Sequence, residues 1–380
     1  MTYGDYPFGL STAQEQRATQ LHRDSIIIDM TFQGPASPDV WTEELEAELA
    51  ANSDGSYGAA VSFLLEKAAR GDWPEYQRLF DASGATTGLT GCVLEDAAGV
   101  QEAGDDTARI LEALPWLVAA RTASDIREAH ATGRHALVGM CQINLLRPGD
   151  LHLLELAARL GVAHTVDCAY NTLTNIGAGC TEAEDPGLTT FGTEFVRECN
   201  RLGIIVDTAH SGKQTTLDAC RTSTQPVLAT HTSASALYEC DRAKSDDECK
   251  AIADTGGVIG VVALPFFLAD PRAGATIELT LDHIDYLCEL VGWRHVGIGT
   301  DWPLPLPPEV LERTLVPMLT STLGFRAEHN LDVAASLVGF RDYRDLINIT
   351  RGLVGRGYDD EQIAAILGLN FLRVFEEVVG

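Results

Sequence analysis

The sequence predicts an α/β fold of the (β/α)8 TIM barrel type with an insertion after the first strand, and three observations predict it. Eight short apolar runs rich in β-branched residues recur along the chain, longer stretches with helical apolar spacing separate them, and most of the runs end on polar residues. Strands that are apolar throughout belong to a parallel sheet covered by helices. Eight of them close a barrel whose reactive groups gather where the strands finish.

Taken in order, the first run is 25–30, "SIIIDM", which ends at Asp29 with Thr31 and Gln33 just beyond. Residues 34–86, rich in Asp, Glu, Ala and Gly, depart from the rhythm; a structureless loop of that length is improbable, so they read as a helical insertion or lid. The second run, 87–93, ends near Cys92; the third, 136–141, ends at Cys141 and Gln142; the fourth, 163–168, ends at Asp167, Cys168 and Tyr170. The fifth, 203–208, leads to Asp207 and His210, and the sixth, 226–231, to His231. The seventh is 257–263, and the eighth, 295–300, is followed by Asp301. "DLHLLELAARLG" and "LTTFGTEFVRECNRLG" are helices between runs, and a second departure surrounds 300–330. Residues 1–380 thus read as one barrel domain, without internal repeats beyond the strand–helix rhythm.

Composition narrows the function. A chain of 380 residues with 45% hydrophobic content buries a large core. Its formal net charge of -28 argues against nucleic acid or an anionic membrane as partner, because a polyanion is repelled. No apolar stretch is long enough to span a bilayer, and "MTYGDYPFGL" has neither the basic segment nor the apolar block of a signal peptide, so the expected compartment is the cytoplasm. Nine irregularly spaced cysteines suit reduced, buried thiols better than a disulfide framework.

The strand endings carry the chemistry. Neighbouring strands lie about 4.8 Å apart, so His210 and His231 on consecutive endings bring two imidazoles to the separation a shared ion needs. Imidazole suits zinc and related divalent ions. Asp301, whose strand closes the barrel, is placed to take a proton from an attacking water and return it to a leaving amine. Against this, a single buried His is usually a hydrogen-bonded core residue, and Asp301 can also be read as a helix N-cap, although three such residues at three strand ends favour a site. Cys92, Cys141 and Cys168 invite a thiolate reading, yet Cys packs readily as a small buried apolar group.

In "LGVAHTVDCAYNTLTNIGAGCTE", "DPGLTTFGTEFVRECNRLGIIVDTAHSG", "PVLATHTSASALYECDRAKSDDE", "GGVIGVVALPFF", "VGWRHVGIGTDW" and "ILGLNFLRVFEEV", over roughly residues 110 to 378, the chain resembles the membrane (renal) dipeptidases, metal-dependent hydrolases on the amidohydrolase barrel. That resemblance places His210 and His231 on two metal-binding histidines, Arg242 on an arginine that holds the substrate carboxylate, and Asp301 on the catalytic aspartate. A histidine that contacts substrate falls on Tyr170. The family's His-x-Asp falls on Thr31 and Gln33, and its bridging glutamate on Gln142. Neutral amide and hydroxyl oxygens bind a divalent cation more weakly than carboxylate or imidazole, so these departures, which mark a divergent bacterial branch, imply at most one metal.

The expectation is therefore a dipeptidase-like hydrolase of a small carboxylated amide. Asp301 and Tyr170 would be catalytic, Arg242 and Tyr170 would bind substrate, and His210, His231 and Gln142 would hold one divalent ion, zinc first, or none. The resemblance also implies a homodimer. Two alternatives stay open: a metal-free acid–base isomerase or lyase acting on a small carboxylate, and a barrel that binds a carboxylated ligand without transforming it.

Overall fold

The computed structural model describes residues 2–32, 41–52, 56–270, 274–301, 308–321, 323–326, 331–333 and 335–380. Nine parallel strands form the sheet: β1 (Thr87–Leu94), β2 (Leu117–Ala119), β3 (His135–Asn144), β4 (Thr165–Asp167), β5 (Ile205–Asp207), β6 (Val227–Ala234), β7 (Ala243–Lys244), β8 (Val258–Val261) and β9 (Val296–Ile298). Their order is β1-β3-β4-β5-β6-β8-β9, with β2 added to β3 and β7 to β6. Residues 26–30 fill the gap between the two ends. The Met30 amide donates to Ile298 O at 2.9 Å, and the Thr86 amide donates to Ile27 O at 2.8 Å.

All eight runs expected from the sequence thus become staves of the barrel. The first is held unusually. Its register to β9 is a single bridge at Asp29, and the Ile28 amide is taken by Leu367 O from the C-terminal helical region, so no continuous ladder forms. The sequence reading passed over β2 and β7, of three and two residues, which are too short to show a period.

Local chemistry fixes the helices that set the staves. Thr122 and Asp125 form a capping box on Ala123–Ala131, and left-handed Gly161 and Gly203 end His152–Leu160 and Thr190–Leu202. The C-terminal helix Asn370–Val378 packs Phe371 and Phe375 with Val138, Ile205, Leu228 and Val258, early residues of four staves. That end of the barrel is sealed; chemistry is left to the other.

Three helices lie within the insertion: Glu43–Asn52, Tyr57–Ala69 and Glu75–Ser83. Leu45, Leu49, Leu64 and Trp73 share a small core with Val310, Leu311 and Leu315 of helix Pro308–Ser321. The described helices of the two sequence departures thus pack on one another. No helix among the described residues is long and apolar enough to cross a membrane.

Candidate active site

Three staves end on a buried aspartate, and each is used in the same way. Asp207 at the end of β5 accepts the Ala209 and Thr230 amides at 3.0 Å each and the Thr230 hydroxyl at 2.5 Å. Asp29 accepts the Thr31 amide at 3.1 Å, the Thr300 amide at 2.8 Å and the Thr300 hydroxyl at 2.5 Å. Asp167 accepts the Ala169 amide at 3.1 Å, the Ser211 hydroxyl at 3.3 Å and the His210 amide at 3.3 Å. Burial pushes all three carboxyls above the usual carboxylate range, and at Asp167 the like charge of Asp207 adds to the push. Each aspartate ties its stave to a residue that lies beside or within the reactive set.

That set begins with two imidazoles. His210 Nδ1 donates to Asn171 Oδ1 at 2.8 Å, and the Asn171 amide is oriented by its own donation to Leu323 O at 3.0 Å. His231 Nδ1 lies 2.8 Å from the Thr230 hydroxyl, whose proton is committed to Asp207, so the ring nitrogen is the donor. Both histidines therefore present a bare Nε2, and these two nitrogens face one another at 2.8 Å. Lone pairs at that distance repel unless a proton or a cation is shared between them. Burial, and then the Arg242 charge, hold both imidazoles well below their ordinary pKa, leaving them neutral as metal ligands must be.

Arg242 stands beside the pair. Its Nη1 donates to Ala209 O and its Nη2 to His231 O at 3.2 Å, with His210 Nε2 at 3.3 Å. Only 2% exposed, it has no ion-pair partner among the described residues, and its Nε meets no acceptor. The surface salt bridge that an Arg so near Asp241, Asp246 and Asp247 invites is not made. The half-buried Tyr170 stacks on His210 with centroids 3.7 Å apart at 20°. Burial, with a smaller contribution from Asp301, raises its phenol so that it stays protonated.

Backbone conformation marks the same place. Asn171 (φ 58°) and Asp301 (φ 54°) are the non-glycine residues with left-handed backbone among those described, a conformation that clusters at functional sites. Gly299 makes room: a Cβ there would lie 1.8 Å from Thr230 O, so a side chain would drive apart the staves that carry Asp301 and His231.

A cavity of about 290 Å³ joins Gln142, Tyr170, His210, Arg242 and Asp301. His231 lies behind His210 and is fully buried. The expected site residues Gln142, Tyr170, His210, His231, Arg242 and Asp301 are thus brought to one place; Gln33 lies outside the described residues. Thr31 is buried, its hydroxyl without a partner among the described residues. Asp29 faces Thr300 and serves the scaffold. Cys92, Cys141 and Cys168 are buried, and burial raises the Cys141 and Cys168 thiols, which makes them packing residues.

The donor set fits one ion in part. Two imidazoles converge in the correct tautomer, and about 2.0–2.1 Å per Zn–N bond with tetrahedral geometry asks for nitrogens about 3.3 Å apart, close to the 2.8 Å observed. No cluster of three His, Cys, Asp or Glu suited to a metal occurs among the described residues. Oxygen donors lining the same cavity include Gln142 and Asp301, Asp301 falling short of a three-ligand cluster with the two histidines.

Sequence reasoning noted Asp167 and Asp207 but gave them no work, and it missed Asn171 and Thr230. Two signals were present: apolar runs ending in Asp at "IIID", "HTVD" and "IIVD", and a Thr directly before His231 and Asp301.

The membrane dipeptidase family (peptidase family M19) matches residues 15–339. An uncharacterized dipeptidase of Schizosaccharomyces pombe is 33% identical over 195 residues, 51% of this chain and 40% of that protein. A dipeptidase of Claviceps purpurea, tcpJ, is 26% identical over 261 residues, 68% and 55% of the two chains. The chain spans about half the length of these curated relatives. Among solved structures, an amidohydrolase from Pseudomonas aeruginosa superposes with a TM-score of 0.74 at 26% identity, covering 95% of this chain and 98% of that one. A metallo peptidase from Rhodobacter sphaeroides, liganded with a phosphinate mimic of the dipeptide L-Ala-D-Ala, gives 0.65 at 20% identity, covering 93% and 100%, a likeness of fold.

Proposed function

The chain belongs to the membrane dipeptidase family, peptidase family M19, and from that premise we propose that it hydrolyses the amide bond of a small carboxylated substrate at the barrel mouth. The observation that carries this reading is the Arg242 guanidinium, buried to 2% exposure beside the imidazole pair with no ion-pair partner among the described residues. A buried charge without an ion-pair contact is costly; Asp301 and Asp167 act on it through space, and a substrate carboxylate would supply the missing contact. Bound there, a substrate lies with its amide against His210, Tyr170 and Asp301.

His210 and His231 would hold one divalent ion, zinc first, through their Nε2 atoms, with Gln142 or Asp301 oxygen completing the set. Such an ion polarises a carbonyl and acidifies water. The work of the side chains is separate. Asp301 accepts the proton of the attacking water and delivers it to the leaving nitrogen. Tyr170, kept protonated, donates to oxygen at the reacting carbonyl. The helices at 43–83 and 308–321 cover the cavity as a lid, and the chain pairs as a homodimer, which light scattering would check.

The contact between Arg242 Nη2 and His210 Nε2 favours a second reading, because a guanidinium proton then occupies the lone pair an ion would use. In that case Asp301 and Tyr170 act as base and acid without metal, and His210 is held in place by Asn171 and Arg242. The test is elemental analysis of protein purified without chelators, followed by assay of alanine-terminated dipeptides with zinc, manganese or cobalt. Up to one bound ion and metal-dependent cleavage support hydrolysis. Absence of any bound ion together with no cleavage on metal addition rejects it.

A further inference from the structure

The two sides of Arg242 differ. On one side, the cavity of about 290 Å³ is covered by Leu315, Met318, Leu319, Leu323, Leu331 and Val333. Phe266 and Phe267 extend the apolar wall towards Arg242, with the Phe267 ring 5.7 Å from the guanidinium carbon. On the other side, a cavity of about 650 Å³ shares Arg242, Phe266 and Phe267 but is otherwise rich in charge, including Glu182, Asp185, Lys213 and Arg326. Its floor holds Lys244, paired with Glu248 at 3.2 Å, both nearly inaccessible. A molecule whose carboxylate meets Arg242 is therefore pulled apart by polarity: one half sits under leucines, the other faces ions and water.

We propose that the substrate is an N-acylated amino acid whose acyl half is apolar and uncharged, an inference that rests on the hydrolase reading above. Among the described residues lining the smaller cavity, Asp301 is the acidic side chain and Arg242 the basic one. Proton transfer occupies Asp301 and the carboxylate occupies Arg242. A free α-ammonium, as in an ordinary dipeptide, would be stripped of water beneath Leu315, Leu319 and Leu323, where the described residues offer no anion besides Asp301, a heavy penalty. An alkyl acyl group instead gains from the same burial. The volume, at the lower edge of the range for small-molecule sites, suits a short acyl chain. In the reaction, one water and one N-acyl amino acid become one fatty carboxylate and one free amino acid. The acyl carbon–nitrogen bond breaks, its electron pair leaving with nitrogen, and a carbon–oxygen bond forms from water. Both water protons end on the released amine, which departs as an ammonium, and the acid departs as its anion, so charge balances without an oxidant or reductant.

The test is kcat/KM, with zinc supplied, for acetyl-, butanoyl- and hexanoyl-alanine of both configurations against Gly-Ala, Leu-Ala and Lys-Ala. Burial of about 0.8 kcal/mol per methylene predicts about a fourfold rise for each added methylene, so hexanoyl-alanine should exceed acetyl-alanine by about 10²-fold and Lys-Ala by more. A flat acyl series, or Gly-Ala and Lys-Ala cleaved as fast as hexanoyl-alanine, overturns the substrate class and leaves the hydrolase standing. No cleavage of any compound overturns the hydrolase and the substrate class together. Leu319→Asp should lower hexanoyl-alanine turnover at least tenfold and raise Leu-Ala relative to it; an unchanged ratio counts against the proposal. If that variant does not fold, the series on the unaltered protein decides alone.

Discussion

Two sides of the barrel mouth are built alike and armed differently. On the β5–β6 side, Asp207 grips Thr230 through one amide and one hydroxyl; on the side where the chain closes, Asp29 grips Thr300 through the same pair of contacts, with hydroxyl distances of 2.5 Å in both. The residue after each threonine is one to which the proposed function gives a role, His231 or Asp301. The clamps diverge at the threonine oxygen. Thr230 also holds His231 Nδ1 at 2.8 Å, whereas Thr300 reaches Tyr343 Oη at 3.5 Å. Where the resemblance implies His-x-Asp, the closing side carries Thr31 and Gln33, yet its aspartate clamp is intact. The clamp therefore belongs to barrel closure, and the loss of ligands leaves the scaffold standing.

The largest effect should come from the armed residue of the closing side. Asp301→Asn keeps the size of the side chain and removes proton transfer, so kcat/KM should fall about 10²–10⁴-fold with thermal stability unchanged. Turnover that survives would mean the closing side is unarmed altogether.

Next comes the pair Thr230→Val and Thr300→Val. Each strips a hydroxyl from a buried aspartate, and each should cost about 1–3 kcal/mol in denaturant unfolding. Their activities should separate. Thr230→Val also frees His231 to turn, which should lower kcat/KM about 10–100-fold, while Thr300→Val should lower it severalfold at most. Equal losses of activity would erase the distinction between the clamps, and Thr230→Ser should restore what Thr230→Val removes.

Metal stoichiometry sharpens the same contrast. Titration with zinc should saturate at no more than one ion per chain, and His231→Ala should abolish that binding. Two ions would show that Thr31, Gln33 and Gln142 bind better than neutral oxygens should.

The smallest effect on turnover is expected at a buried histidine away from both sides. His22 lies 2.9 Å from the Thr350 hydroxyl and 3.2 Å from Ser83 O, and burial lowers its pKa from 6.5 to about 4. The unfolded chain binds this proton from pH 6.5 downward while the folded one refuses it, so stability is lost as the pH falls from 6.5 to about 4, by about 3 kcal/mol in all. His22→Asn should leave kcat near that of the unaltered protein and should flatten part of this acid-side loss in Tm.

Much of this was legible in the chain. Apolar runs with β-branched residues determine strands because such side chains fit a pleated, buried surface, and all eight became staves. His210, His231 and Asp301 could be named because they stand together at strand endings, and Arg242 because the family resemblance places it on a carboxylate-holding arginine. The residues that aim them were harder to see. Asn171 orients His210 from 39 positions away, and Asp29 reaches Thr300 across 271. Contacts of that separation carry no local period. The roof formed by Leu315, Met318 and Leu319 reads in sequence as one face of a helix; that it faces the reactive groups follows from packing between two insertions far apart in the chain.

The sequence by itself determined the alternation of strand and helix, the identity of the proposed reactive groups and the absence of His-x-Asp at the end of the first run, since these depend on residue type and short-range spacing alone. The tertiary structure decided the tautomers of the two imidazoles, the lack of an ion-pair partner for Arg242 among the described residues and the opposed polarity of its two cavities. Each of these depends on which distant groups barrel closure brings within hydrogen-bonding or van der Waals reach.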